Sequence, residues 1–405
     1  MNAVSSGIMK GEKSIVYVGY ATFPYGLAEV QKIILISKSL LLTGNSVTVI
    51  CKNGSFSKSD HPEFKAHGFY ENIEYVYASG SVFRNEKFLK RRILKIKGAI
   101  NIPLLLMRRK KAGKLDYVIL STQHFSTVLY YRIISKVIGF KTILNYVEYR
   151  SGIEERKSKF TKRINDKLFD RYAPGLTTAT FLISEFLIKH LKKVSPHKKY
   201  LKIPNLTDFE KYNGIETVQG EKYFLFCGAA VYKEIVEFSI DSFGLLKNDH
   251  STFLYLVING GEADMQRVKD YISRHPKKDQ IKLFSRLSEK QLYTYYKNAI
   301  ALLIPLRPTF QDIARFPHKT GEYLASGNPV ISTNYGEMTN YFKDKENMFL
   351  AESYDASQFA EKMQFVIDNP EEAKRIGERG KEIASRIFDY RSMATEIDNF
   401  LETQV

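Results

Sequence analysis

The sequence predicts an α/β fold of two doubly wound domains, each a parallel sheet covered by helices. Short apolar runs alternate with helix-like segments along the chain, beginning with a strand at 14–19, a helix at 27–43 and a strand at 47–51. A length of 405 residues suits two domains of ordinary size, and 44% hydrophobic with 13% aromatic content can fill two cores. Apolar runs at 301–305 and 330–332 bracket a short helix whose charges are spaced to share one face.

The first domain is expected over residues 14–205, after a loose tail at 1–13. Its opening helix presents Val30, Ile33, Ile34, Ser37, Leu40 and Leu41 on one side. The loop before that helix ends at Gly26 and lacks the three glycines of a dinucleotide fingerprint, which argues against an NAD site. A strand at 73–77 leads to the most unusual composition in the chain. Residues 84–114 carry twelve basic residues and one acid, Glu86, interleaved with apolar side chains. Within them, residues 88–102 can form an amphipathic helix with a basic polar face. Such a helix suits an anionic membrane surface, where each well-placed Lys or Arg adds about 1 kcal/mol. A surface helix packed on the sheet, its basic face merely solvated, is the alternative. Strands at 116–121 and 141–146 flank a helix at 123–138. Ligands of parallel sheets bind beyond the carboxyl ends of the strands, and His124, Glu148 and Arg150 follow two such ends. A charged helix at 154–172, a strand at 177–184 and a helix at 185–193 complete the domain, and 206–221 reads as linker.

The second domain is expected over 222–385, opening with a strand at 223–227 that ends in Gly228, with Lys233 five residues later. Further strands fall at 253–258 and 281–284, and Ser288 with Gln291 forms the pattern of a capping box on the helix at 288–298. Pro317 suits the first turn of the next helix and Gly327 the position past its end. Arg315 and Lys319 at that helix start make a prepared anion site, and Glu322, three residues beyond Lys319, is placed for sugar hydroxyls. Together they would grip a nucleotide diphosphate and its ribose; a plain core helix with solvated charges is the bland alternative. Helices at 356–369, 370–385 and 388–402 close the chain.

The stretch Arg315-Phe316-Pro317-His318-Lys319-Thr320-Gly321-Glu322-Tyr323-Leu324-Ala325-Ser326-Gly327-Asn328-Pro329-Val330-Ile331 resembles the nucleotide-sugar signature of GT-B glycosyltransferases, family 4 in particular. In that family two glutamates with seven residues between them flank the helix. Glu322 matches the second, which binds the donor ribose, while Ala314 stands where the first falls. The resemblance implies two Rossmann-like domains facing across a cleft, with a C-terminal helix at 386–405 crossing back to the first domain. It implies that Lys233, Arg315 and Lys319 hold the donor diphosphate, and that Gly26 and Gly228 belong to cleft loops. Glu148 and His124 are its candidates for the acceptor side and for catalysis. It further implies a retaining transfer from a nucleotide-sugar donor to a lipid-linked or polysaccharide acceptor at the cytoplasmic membrane face. The sequence has no Asp-x-Asp triplet of the kind that holds a divalent ion on a diphosphate, so neither metal nor other cofactor is expected. A catalytically silent scaffold of the same fold, or a sugar-nucleotide epimerase, remains as the alternative.

Charge narrows the partners. The net charge is +17, but residues 1–202 hold 36 basic and 14 acidic residues, and the remainder 25 and 30. Such an asymmetry points the first half toward an anionic membrane surface or a polyanion. No nucleic-acid module is recognisable, and no nucleic acid is expected as partner. Cys51 and Cys227 sit in apolar strand-like runs and imply no disulfide framework. With no apolar span of membrane length and no apolar signal-peptide core at the start, the expectation is a cytoplasmic protein, peripheral on the inner membrane face.

Overall fold

The computed structural model describes residues 12–19, 22–26, 28–59, 63–152, 160–218, 220–247 and 251–405. The chain divides into two compact units. The first takes in the described part of the first 182 residues, then Ile188–Lys202 and Met393–Val405; the second is Ile183–Leu187 with Ile203–Ser392.

In chain order the first unit begins β1 (Ser14–Val18), α1 (Ala28–Leu42), β2 (Ser46–Cys51), β3 (His67–Tyr70), β4 (Ile73–Tyr77) and α2 (Phe88–Lys111). It continues β5 (Tyr117–Leu120), α3 (Phe125–Ile138), β6 (Lys141–Tyr146), α4 (Phe160–Leu176), β7 (Ala179–Leu182), α5 (Glu185–Val194) and β8 (Lys199–Lys202). Its eight strands lie in the order β3-β4-β2-β1-β5-β6-β7-β8. Among the described residues, only the β3–β4 hairpin is antiparallel. Each central strand reads as a continuous apolar run because helices cover both faces. Helix α1 is buried on more than one side, so Lys32 lies with Val30, Ile33, Ile34 and Leu35 among its buried residues.

The second unit runs β9 (Lys222–Ala229), α6 (Lys233–Gly244), β10 (Thr252–Asn259), α7 (Glu262–Arg274), β11 (Ile281–Phe284), α8 (Glu289–Asn298) and β12 (Ala301–Ile304). It ends α9 (Phe310–Ala314), α10 (Lys319–Ala325), β13 (Val330–Thr333), α11 (Met338–Tyr341), β14 (Phe349–Ala351), α12 (Ala356–Asp368) and α13 (Pro370–Ile387). Six parallel strands lie in the order β11-β10-β9-β12-β13-β14. Phe224, Leu254, Leu256, Leu303, Ile331 and Phe349 are central to its core. The capping box of Ser288 and Gln291 forms at the start of α8.

Several boundaries differ from the sequence expectation. The last helix, α14 (Ala394–Thr403), starts six residues later than expected. Phe388 instead ends α13, its ring buried against Phe316, Tyr341 and Phe342, while its carbonyl accepts from Thr207 N–H at 2.7 Å. Helix α14 belongs to the first unit, where Asp398 accepts from Lys13 Nζ at 2.9 Å and Asn45 Nδ2 at 2.7 Å, and the Tyr117 hydroxyl donates to Leu401 O. The stretch 206–221 is not all linker. Leu206, Thr207, Asp208 and Tyr212 are buried in the second unit, and Asp208 caps a short 3-10 turn at Phe209–Tyr212. Helix α2 continues through Pro103 to Lys111, nine residues beyond the expected end. The tail expected at 1–13 lies mostly outside the described residues, as does the start of the helix expected at 154–172.

Candidate functional site

Helix α10 carries the centre of the site. It follows the buried strand β12, and its inner face packs Thr320, Tyr323, Leu324 and Ala325 into the core, which leaves Lys319 and Glu322 half-buried beside one another. The Tyr323 hydroxyl accepts from Cys227 N–H at 3.0 Å, tying α10 to β9. Gly321 is demanded by packing: a Cβ there would lie 2.1 Å from Thr207 Oγ1. The Tyr212 hydroxyl donates to Glu322 O at 2.5 Å, so the segment after residue 206 braces the same turn. Burial works to lower the Lys319 pKa, but Cys227 and Glu322 outweigh it and hold the ammonium above its ordinary value. Burial raises the Glu322 carboxyl, with Lys319 and Lys211 opposing. The result is a cation and a carboxylate on one turn, in a setting where each interaction is stronger than in water.

The other expected diphosphate ligands are placed differently. Arg315 Nη2 pairs with Asp312 Oδ1 at 2.6 Å, and its guanidinium lies 5.4 Å from the Tyr232 ring centroid. Asp312 is wholly buried and also pairs with Arg307 Nε at 3.0 Å, while Arg307 reaches Glu234 at 3.2 Å. Arg315 is thus already partnered by a carboxylate rather than standing free at a helix start. Lys233 is the first residue of α6, more than half exposed, 3.5 Å from Glu237 Oε1. Gly228 lies within β9 and not beyond its end, because β9 pairs with β10 through Ala229. Ala314, where the resembling family has a glutamate, is buried, and its carbonyl accepts from Ser184 Oγ at 2.6 Å. The nearby acid is Asp312, two residues upstream. Sequence reasoning missed it, although the Thr309–Asp312 spacing is an N-cap signal and the Thr309 hydroxyl does accept from Asp312 N–H. Removing this buried carboxylate takes the paired carboxylate from Arg315 and leaves the buried Arg307 guanidinium with Glu234 in place of two acids. Asp312→Ala is therefore expected to cost about 3–5 kcal/mol of stability, read as a lowered denaturation midpoint of the folded chain.

In the first unit, Glu148 Oε2 pairs with Arg150 Nη1 at 2.6 Å, and Arg150 Nε lies 3.5 Å from Asp166. Buried Asp170 organises this loop, accepting from Tyr146 Oη at 2.8 Å, from Arg150 N–H at 3.2 Å and from both the N–H and hydroxyl of Ser151 at 2.6 Å. Its pKa is nonetheless raised, by burial. No sequence spacing announced Asp170, since it sits in a charged helix some twenty residues from its partners. Glu148 and Arg150 act electrostatically on Glu29 of α1. Burial pushes the Glu29 carboxyl up to about 7 and the Lys32 ammonium down to about 7. The structure thus brings Glu148 together with Glu29, Lys32 and Arg150. His124 is exposed at the N-cap of α3, without a side-chain capping bond. Gly26 lies two residues before α1, where an added Cβ would meet Val30 Cγ2 at 2.5 Å.

Two parallel α/β units of this topology define a GT-B-type protein. Residues 208–383 match the family described as "Glycosyl transferases group 1". An uncharacterized glycosyltransferase of Methanocaldococcus jannaschii is 23% identical over 224 residues, which span 55% of this chain and 59% of that protein. The alpha-1,3/1,6-mannosyltransferase of Dictyostelium discoideum is 21% identical over 340 residues, 73% of this chain and 79% of its own length. Among solved structures, sucrose-phosphate synthase from Thermosynechococcus elongatus superimposes with a TM-score of 0.76 at 14% identity, covering 96% of this chain and 98% of the other. The Anabaena HepE protein in complex with UDP and glucose superimposes with a TM-score of 0.68 at 14% identity, covering 97% and 100%. At these identities the structural likeness establishes the fold.

Proposed function

We propose that the protein transfers a sugar from a nucleotide-sugar donor to a lipid-linked or polysaccharide acceptor, with retention at the anomeric carbon and without a metal ion. The observation that carries this reading is the Lys319–Glu322 turn of α10, braced by Tyr212 and Cys227 inside the stretch that matches glycosyl transferases group 1. Lys319, held protonated, would meet charge that builds on the departing diphosphate. Glu322 would accept from the ribose hydroxyls. That HepE was solved with UDP and glucose supports a nucleotide sugar as donor.

Arg315 and Lys233 enter with their present partners counted. A diphosphate would compete with Asp312 for Arg315 and with Glu237 for Lys233. In the first unit, Glu148 would contact the acceptor, electrostatically coupled to Glu29, whose carboxyl burial pushes up to about 7. With no enzymatic nucleophile identified among the described residues, the reading is a same-face substitution. The leaving phosphate oxygen takes the proton of the incoming hydroxyl as the new glycosidic bond forms and the old one breaks.

The test is a thermal-shift panel of UDP-, GDP- and ADP-sugars with and without EDTA. A ligand at a hundred times its Kd adds about 2.7 kcal/mol, enough to raise the melting temperature measurably. One nucleotide class should stabilise the protein equally in both conditions. No shift from any nucleotide sugar at millimolar concentration would sink the donor assignment, and a shift abolished by EDTA would sink the metal-free part.

A further inference from the structure

We propose that helix α2 seats the first unit on the surface of an anionic lipid bilayer, lying in the interface with one apolar stripe inserted. The inference goes beyond the transfer reaction and does not depend on it.

Helix α2 has two apolar faces, not one. Gly98, Ile102 and Leu106 are buried against the unit, and the approach is close: a Cβ on Gly98 would lie 1.9 Å from Lys52 O. At 100° per residue, Leu89, Ile93, Ile96, Ile100, Leu104 and Met107 fall on the opposite side of the helix. All six face solvent, from 37% exposed at Met107 to 70% at Leu89. The spacing of four and three residues keeps the stripe straight over about 27 Å, at 1.5 Å per residue. Ordinary surface helices present polar residues on this side. Helix α3, which packs beside α2 through the Tyr130 hydroxyl on Ala99 O, adds an exposed ridge of Leu129, Ile133 and Val137.

The charges frame the stripe. Lys90, Lys97 and Arg108, all exposed, run along one edge, exposed Arg92 and half-buried Lys110 lie along the other, and α2 contains no acidic residue. An apolar strip between two cationic rails is complementary to acyl chains beneath anionic headgroups. The same rails argue against a second copy as occupant, because two stripes placed together bring like charges into register. They argue equally against a polyanion alone, which would leave the apolar strip in water. The sequence pattern had suggested a single basic polar face; the structure shows that the face opposite the unit is apolar, and that the basic residues border it.

The experiment is vesicle co-sedimentation of the full chain, with neutral phosphatidylcholine vesicles and with vesicles containing anionic phosphatidylglycerol. The protein should partition onto anionic vesicles at least about tenfold more strongly than onto neutral ones. The quadruple variant Leu89→Gln, Ile93→Gln, Ile96→Gln, Ile100→Gln changes exposed positions only and should keep the melting temperature. It should lose at least about a hundredfold in partitioning while still binding a soluble polyanion such as dextran sulfate. Lys90→Glu, Lys97→Glu, Arg108→Glu should abolish the preference for anionic lipid. Equal binding of wild type and the quadruple variant to anionic vesicles would overturn the proposal. So would the absence of vesicle binding combined with self-association in solution that the quadruple variant removes, which would assign the stripe to a second copy.

Discussion

Glu322→Ala is expected to abolish the melting-temperature shift given by a saturating nucleotide sugar and to lower kcat/KM for the donor by about 100- to 1000-fold. The magnitude follows from two hydrogen bonds to a charged acceptor, each worth about 1.5–3 kcal/mol and only partly additive. The effect on the unliganded protein should be opposite in character. Burial holds the Glu322 carboxyl above its ordinary pKa. The folded chain therefore binds that proton more tightly than the unfolded chain. The resulting stability is fully present below the unfolded pKa and is lost as pH rises through the folded one. Glu322→Gln cannot ionise, so it should flatten this part of the pH–stability curve and be no less stable than the parent at pH 8, while still losing donor affinity. Melting curves from pH 4 to 8, with and without nucleotide sugar, separate the two effects. A Gln variant that unfolds more easily at pH 8 would mark Glu322 as a structural brace of α10 instead.

The second large effect is expected at Lys32, and on stability. Its side chain is 2% exposed, and Nζ has no hydrogen-bond partner among the described residues. Burial lowers its pKa to about 7 and raises that of Glu29 to about 7. Glu29 contributes stability below its unfolded pKa and loses it as pH rises toward 7. Lys32 binds its proton less tightly when folded, so stability is depressed below pH 7 and recovers as pH rises toward the unfolded lysine value. The two windows meet near pH 7, where their combined contribution is at its lowest. Lys32→Met keeps most of the packing volume and removes the buried ammonium. It should stabilise the chain by about 2–4 kcal/mol at pH 7, raising the melting temperature by several degrees, with little gain at pH 10. A melting series across pH 5 to 10 reads this directly. Loss of stability at pH 7 would show that Lys32 is compensated. If transfer falls while stability rises, the buried ammonium serves the acceptor-side group of Glu29 and Glu148.

How far the site was legible depended on the distance over which each part is organised. Lys319 and Glu322 were found from spacing because both lie on one helical turn, where residues three apart are neighbours whatever surrounds them. Arg315 was singled out from its place before that helix; its pairing with Asp312 has the same three-residue spacing, but the full burial of Asp312 between Arg307 and Arg315 appears only in the folded chain. Lys32 and Glu29 look like routine charges of an opening helix. Only burial of α1 on several sides turns them into perturbed groups. Helix α2 shows the same limit from the other direction: its pattern disclosed apolar and basic residues, but not which apolar face would be covered.

Local pattern by itself determined the two doubly wound units, the position of most strands along the chain and the helix that carries Lys319 and Glu322. Periodicity of two and 3.6 and the signals at helix ends act between near neighbours, and they survive in a linear string. Tertiary structure alone decided which charges are paired, which are buried and which apolar stripe is left facing water. It also decided that Tyr212 and Thr207 brace α10 and that α14 joins the first unit. Those outcomes depend on solvent exclusion and on contacts between residues a hundred or more positions apart, quantities that no window of sequence contains.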